Sequence, residues 1–200
     1  MSIKTLFNKH KGYLRRKQIP DRTTYYQVLE MVKSGEVERI KPGVFHYNVN
    51  SSSSVMVDIG KIVPDGVLCM YSTWLHYELS VQIPQDFNIA VEKSRKIVLP
   101  DYPPIKLYFW KQEYYQLGID IQEIDGFRVK IYDLEKSVCD AVKFRNKIGI
   151  ETTAEIIQNY LKRKDRNFTK LMKYAKTMRI EKTMRTYIEI QLTSDVLKST

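Results

Sequence analysis

Cysteine is scarce in this chain of 200 residues: Cys69 and Cys139 are the two, and they lie seventy positions apart. Each sits among apolar neighbours, which points to reduced, buried thiols rather than a disulfide. No apolar run approaches the ~20 residues needed to cross a bilayer. Met1-Ser2-Ile3-Lys4 opens a polar, amphipathic stretch instead of a charged-then-apolar leader. The expectation is a cytoplasmic protein with no membrane partner. The three histidines, His10, His46 and His76, share no metal-ligand spacing with each other or with either cysteine. No Gly-rich phosphate loop, nucleophile motif or internal repeat is present. A chain with these absences is expected to carry no cofactor, no metal and no catalytic residue.

Cationic charge is abundant and unevenly placed. The net charge is +10, with ten Lys and Arg against four Asp and Glu over residues 1–50. Residues 51–133 hold eight against eleven, and residues 134–200 hold fifteen against eight. Two basic ends therefore flank an acidic middle. Basic surfaces attract polyanions and speed their encounter. A solvated surface would carry the same composition, so charge alone leaves both readings open.

The order of local signals near the start is more specific. Ile3, Leu6 and Phe7 have helical spacing up to Gly12. Leu14 to Ile19 reads as a short helix stopped by Pro20. Asp21 can cap a helix in which Tyr25, Val28, Leu29 and Val32 make one apolar stripe, with Gly35 suited to its end. Val37 to Ile40 and Val44 to Tyr47 read as strands around Lys41-Pro42-Gly43. Helix, turn, helix and hairpin in this order are the layout of a winged helix-turn-helix. The polar stretch Asn48 to Ser54 is the best boundary, giving a domain over residues 1–50 and another over 51–200. Its last serine can cap a helix over Val55 to Val63.

Beyond it, Val67 to Met70 reads as a strand, and Ser72 to Leu79 as a helix with Trp74, Leu75 and Leu79 inward. From Phe87 to Tyr132 the period shifts towards two. Strand candidates are Asn88 to Val91, Ile105 to Phe109, Ile119 to Ile124 and Phe127 to Ile131, with Asp125-Gly126 as a hairpin turn. After Asp133 the chain reads as helices over Leu134 to Arg145, Thr152 to Arg163, Phe168 to Met178 and Ile180 to Leu192. Ala154, Ile157, Tyr160 and Leu161 face inward in the second, Phe168, Leu171, Met172 and Ala175 in the third, and Met184, Tyr187, Ile188 and Leu192 in the fourth. The tail from Thr193 is expected to fray. The fold class is α+β: an N-terminal winged helix-turn-helix, then a mixed α/β domain ending in a helical bundle.

Three segments carry a resemblance to a family. They are the hairpin from Gly35-Glu36-Val37 to Gly43-Val44-Phe45, the stretch Tyr71-Ser72-Thr73-Trp74-Leu75-His76-Tyr77-Glu78-Leu79, and Gly126-Phe127-Arg128-Val129-Lys130-Ile131-Tyr132-Asp133-Leu134-Glu135-Lys136-Ser137-Val138-Cys139-Asp140. The last runs on into Arg145-Asn146-Lys147-Ile148-Gly149. Over most of its length the chain resembles the AbiEi-type antitoxins of type IV toxin–antitoxin systems, regulators of viral-defence loci. It departs from the family where Trp74 replaces a common Ala and Lys136 a common Arg. The resemblance implies a transcriptional repressor that binds inverted repeats in double-stranded DNA at its own promoter. It also implies a C-terminal domain that opposes a nucleotidyltransferase-like toxin without a stable complex.

The residues themselves suggest where DNA would be touched. Arg22, Thr23, Thr24, Tyr26 and Gln27 open the candidate recognition helix, where Arg and Gln can pair with base edges and Thr can bond or pack on a thymine methyl. Arg15, Arg16, Arg39 and Lys41 fit phosphate contacts, which position without specifying. Lys162, Arg163, Lys164, Arg166, Lys170 and Lys173 form a possible nucleic-acid or partner surface, with plain solvated faces as the alternative. Asp133, Glu135, Lys136 and Asp140 would suit a nuclease, since carboxylates and a lysine can hold a metal and activate water. The same acids also suit a helix start, and adjacent Glu135 and Lys136 do not face one site. The alternatives to the antitoxin are a stand-alone winged-helix regulator and an enzyme acting on nucleic acid, a nuclease or nucleotidyltransferase.

Overall fold

The computed structural model describes residues 2–47, 59–100 and 102–198. Contacts divide the chain into two units. The first joins residues 1–65 with 96–104 and 123–129, and the second joins 66–95, 105–122 and 130–200. The expected boundary at Asn48–Ser54, and the start of the helix after it, lie outside the described residues.

The first unit runs α1 (Ile3–Lys9), β1 (Tyr13–Arg15), a 3-10 turn (Arg16–Gln18), α2 (Arg22–Lys33), β2 (Val37–Lys41), β3 (Val44–Tyr47) and α3 (Ile59–Ile62). The strands form an antiparallel sheet in the order β1-β3-β2, with Tyr13 opposite His46 and Val37 opposite Tyr47. Leu6, Phe7, Leu14, Ile19, Val28, Val37 and Phe45 make its core. The helix expected over Leu14 to Ile19 is instead a strand followed by a single 3-10 turn. Only a few residues separate Gly12 from Pro20, too few to offset helix nucleation. Strand pairing to β3 supplies the backbone bonds instead.

α2 forms as its sequence suggests. The Asp21 carboxylate accepts from the Thr24 amide at 2.7 Å, and Gly35 takes φ +79° just after the helix. Val28 is buried, while Tyr25, Leu29 and Val32 pack against the core.

The second unit contains β4 (Val67–Leu68), α4 (Tyr71–His76), β5 (Phe87–Glu92), β6 (Ile105–Trp110), α5 (Gln112–Tyr115), and parts of β7 (Ile119–Ile124) and β8 (Phe127–Tyr132). The sheet order is β6-β5-β4-β8-β7. β5 runs parallel to β6 and antiparallel to β4, and Leu68 pairs in parallel with Ile131. All four strand candidates between Phe87 and Tyr132 are present, and Asp125 and Gly126 both take positive φ at the hairpin turn. Four helices follow: α6 (Leu134–Ile148), α7 (Ile150–Lys162), α8 (Phe168–Thr177) and α9 (Glu181–Lys198). The last extends past the expected fraying point. The fold is mixed α and β, and its described C-terminal part is helical.

α6 is the centre of this unit. Every residue from Leu134 to Val142 is buried, because α7, α8, α9 and α4 all pack against it. Three inward assignments do not hold: Leu192 in the last helix is exposed, and so are two others. Leu75 is exposed, since the short α4 turns Thr73 and Trp74 inward and Leu75 away. Phe168 is also exposed: as the first residue of α8 it lies edge-on to Tyr160 at 6.0 Å between centroids, at the rim of the core.

Candidate nucleic-acid interface

The stripe that anchors α2 leaves its other face to solvent. Arg22, Thr23, Tyr26 and Gln27 are exposed, with Arg22 above Tyr26 and Thr23 above Gln27 at the four-residue spacing that makes helix neighbours. The Arg22 guanidinium donates to the Tyr26 hydroxyl at 3.0 Å and lies over its ring. Thr24 is more committed: its hydroxyl donates to Asp21 at 2.8 Å as part of the cap. These carboxylate bonds, the Thr24 amide's first, hold the Asp21 pKa below the usual range.

The four expected phosphate contacts divide into two kinds. Arg16 and Arg39 are exposed, and the Arg16 guanidinium stacks over the Tyr25 ring at 4.3 Å. Arg15 and Lys41 instead serve the short α3. The Arg15 side chain donates to the carbonyls of Gly60 and Lys61, the latter at 3.0 Å, and the Lys41 ammonium donates to the Ile62 carbonyl. Cations at a helix C-terminus satisfy carbonyls that have no intrahelical donor. Lys61 itself donates to the carbonyls of His10 at 2.7 Å and Tyr13 at 3.2 Å. Arg15→Ala is therefore expected to lower stability by about 1–2 kcal/mol, whereas Arg39→Ala leaves the urea midpoint unchanged; equal midpoints for both variants would contradict this division.

The C-terminal cations divide likewise. Lys162, Lys164 and Lys173 are exposed. Arg163 pairs with Asp165 at 2.8 Å and donates to the Tyr77 carbonyl, also at 2.8 Å. Arg166 donates to the Arg163 carbonyl and lies over the Phe168 ring. Lys170 bridges Asp133 at 3.1 Å and Glu135 at 3.4 Å. Burial works against its charge, but the Asp133 contact leads the opposing effects and the Lys170 pKa is raised.

The carboxylates that suggested nuclease chemistry have internal partners. Asp133 caps α6, accepting from the Lys136 amide at 2.8 Å and from the Tyr174 hydroxyl at 3.0 Å. Glu135 accepts from the Asn167 amide at 3.0 Å. Lys136 turns the other way, to a fully buried ion pair with Asp140 at 2.5 Å. Its ammonium also sits 3.9 Å from the Tyr132 ring centroid and 4.6 Å from that of Trp110. This pair was not legible in the sequence, where the i,i+4 spacing of Lys136 and Asp140 was its one trace. Burial pushes both cysteine thiols up, which keeps them protonated. Among the described residues, no three His, Cys, Asp or Glu converge as metal ligands, and no helix is long and apolar enough to cross a membrane.

Asp133→Ala removes a cap, a tyrosine contact and one side of the Lys170 bridge. It is expected to cost about 1–2 kcal/mol, read as a lower thermal midpoint. An unchanged midpoint would mean that solvent replaces these bonds without loss.

No family model matches the chain, and no characterised protein is significantly similar to it.

Proposed function

We propose that the first unit is a winged helix-turn-helix and that the chain is a DNA-binding transcriptional repressor and antitoxin of a type IV toxin–antitoxin system, cytoplasmic and not an enzyme. One observation carries the DNA reading: α2 buries one stripe and offers Arg22, Thr23, Tyr26 and Gln27 to solvent on another. Arg, Gln and Thr are the side chains that pair with guanine, adenine and thymine edges in the major groove. The β2–β3 turn follows directly, with exposed Arg39 as a phosphate contact beside the reader. A strand, β1, completes the sheet from its β3 side and ties the hairpin to the residues preceding α2.

The antitoxin part rests on the resemblance of the three sequence segments. The opposed toxin is proposed to be nucleotidyltransferase-like and to form no stable complex with this chain. Two measurements test the halves separately. The first is binding of the purified chain to its own upstream DNA, against a shuffled duplex of equal length. No preference for the upstream DNA would remove the repressor reading. The second is growth of cells expressing the neighbouring gene with and without this chain. Failure to restore growth, with repression intact, would leave a stand-alone regulator.

A further inference from the structure

Cationic side chains of the second unit gather at the turn between α8 and α9. Lys176, Arg179, Lys182 and Arg185 line an open pocket of about 450 Å³, with Glu181 as the one carboxylate in its wall. Glu181 pairs with Arg185 at 2.9 Å. Among the described residues, no carboxylate lies within ion-pair distance of Lys176, Arg179 or Lys182. Lys143 adds to this field from α6: its ammonium donates to the Met178 carbonyl at 3.0 Å. Desolvation, then Arg179, Arg145 and Lys111, hold the Lys143 pKa below the usual range.

The backbone makes the presence of Arg179 informative. α8 ends in a Schellman turn, in which the Arg179 amide donates to the Lys176 carbonyl at 3.0 Å and the Ile180 amide to the Ala175 carbonyl at 2.9 Å. Arg179 holds the left-handed position of this turn at φ +57°. Glycine is the residue that such a position favours, and a side chain with a Cβ is strained there. The turn thus keeps a guanidinium in the pocket at a conformational cost.

We infer that the α8–α9 turn is a phosphate-binding site for a polynucleotide backbone, with Lys176, Arg179 and Lys182 as its contacts. Separated cations in an open pocket match phosphodiester groups spaced along a strand. Among the described residues, no aromatic side chain lines the pocket to stack a base, so contact is to phosphate and independent of sequence. This goes beyond the reader on α2 and does not depend on it.

The test compares two full-length double variants with equal loss of charge: R179G/K182Q at the pocket, and K93Q/K106Q at exposed lysines elsewhere on the same unit. Both are also made with R22A and Q27A present, so that the outcome is independent of α2. Affinity for a labelled random-sequence duplex is measured by anisotropy across a salt series, with thermal midpoints alongside. R179G/K182Q is expected to weaken binding at least about fivefold more than K93Q/K106Q. It should also reduce the slope of log K against log salt by about 2, one for each lost contact. Its thermal midpoint should be unchanged or raised, because glycine suits the turn. Equal losses in the two variants, or no loss, would overturn the site. Competition by inorganic triphosphate as strong, per phosphate, as that of unlabelled duplex would assign the pocket to a free polyphosphate and overturn the polynucleotide.

Discussion

Replacing Lys136 with methionine is expected to destabilise the protein by about 3–5 kcal/mol at neutral pH. The side chain is fully buried, its ammonium pairs with Asp140, and two aromatic rings pack on it. Methionine keeps most of the volume but leaves the Asp140 carboxylate buried without a counter-charge. Asp140→Asn should cost a similar amount, since Lys136 is then the uncompensated charge. The double variant K136M/D140V removes both charges and should recover most of the loss, because an apolar replacement of a buried pair is often neutral or better.

The pH dependence of the two single variants should differ in sign. Burial raises the Asp140 pKa to about 6 even with Lys136 beside it. An acid whose folded pKa lies above its unfolded value favours the fold when protonated, and that contribution is lost as pH rises through the folded pKa. Without Lys136 the pKa rises further, so the deficit of K136M should shrink as pH falls from 7 towards 5. The deficit of D140N should instead grow in acid, because the wild-type protein gains stability as Asp140 protonates and the asparagine variant cannot. Urea midpoints across this range, followed by tryptophan fluorescence, measure both effects. Single variants costing less than ~1 kcal/mol would show that water reaches the pair.

Arg22→Ala and Gln27→Ala are each expected to weaken binding to the operator by about 1–3 kcal/mol, and to relax sequence choice at the base pair each side chain reads. Neither residue supports the core, so thermal midpoints should not move. Arg39→Ala should lower affinity for all duplexes alike and flatten the salt dependence, as a phosphate contact does. Equal losses on operator and random DNA for Arg22→Ala and Gln27→Ala would show that α2 does not read bases. The same pair of variants separates the two proposed roles: loss of repression with retained protection from the toxin would place antitoxicity outside the DNA contacts.

Much of the architecture is a local matter. Asp21 and Gly35 bound α2, Asp125-Gly126 turns β7 into β8, and Asp133 starts α6, each through bonds or dihedrals within a few residues. Alternation between Phe87 and Tyr132 and helical spacing after Asp133 are likewise carried in the chain, because a half-buried strand or helix needs one apolar face. Leu14 to Ile19 lacked such independence. Its apolar spacing fits a helical turn, and only pairing with β3, some thirty residues on, makes Tyr13–Arg15 a strand.

What tertiary structure alone decided is the meaning of the charges. Arg15 and Arg39 look alike in sequence, yet one satisfies carbonyls of α3 and the other faces solvent. Lys136 and Asp140 read as part of a polar helix start, but α6 is enclosed by its neighbours, so its polar side as well as its apolar side is buried. A charge in that position must find a partner or lose its proton, whereas the same charge on an exposed helix needs neither. Sequence sets which faces can be buried; only the packing of helices around α6 sets how many of them are.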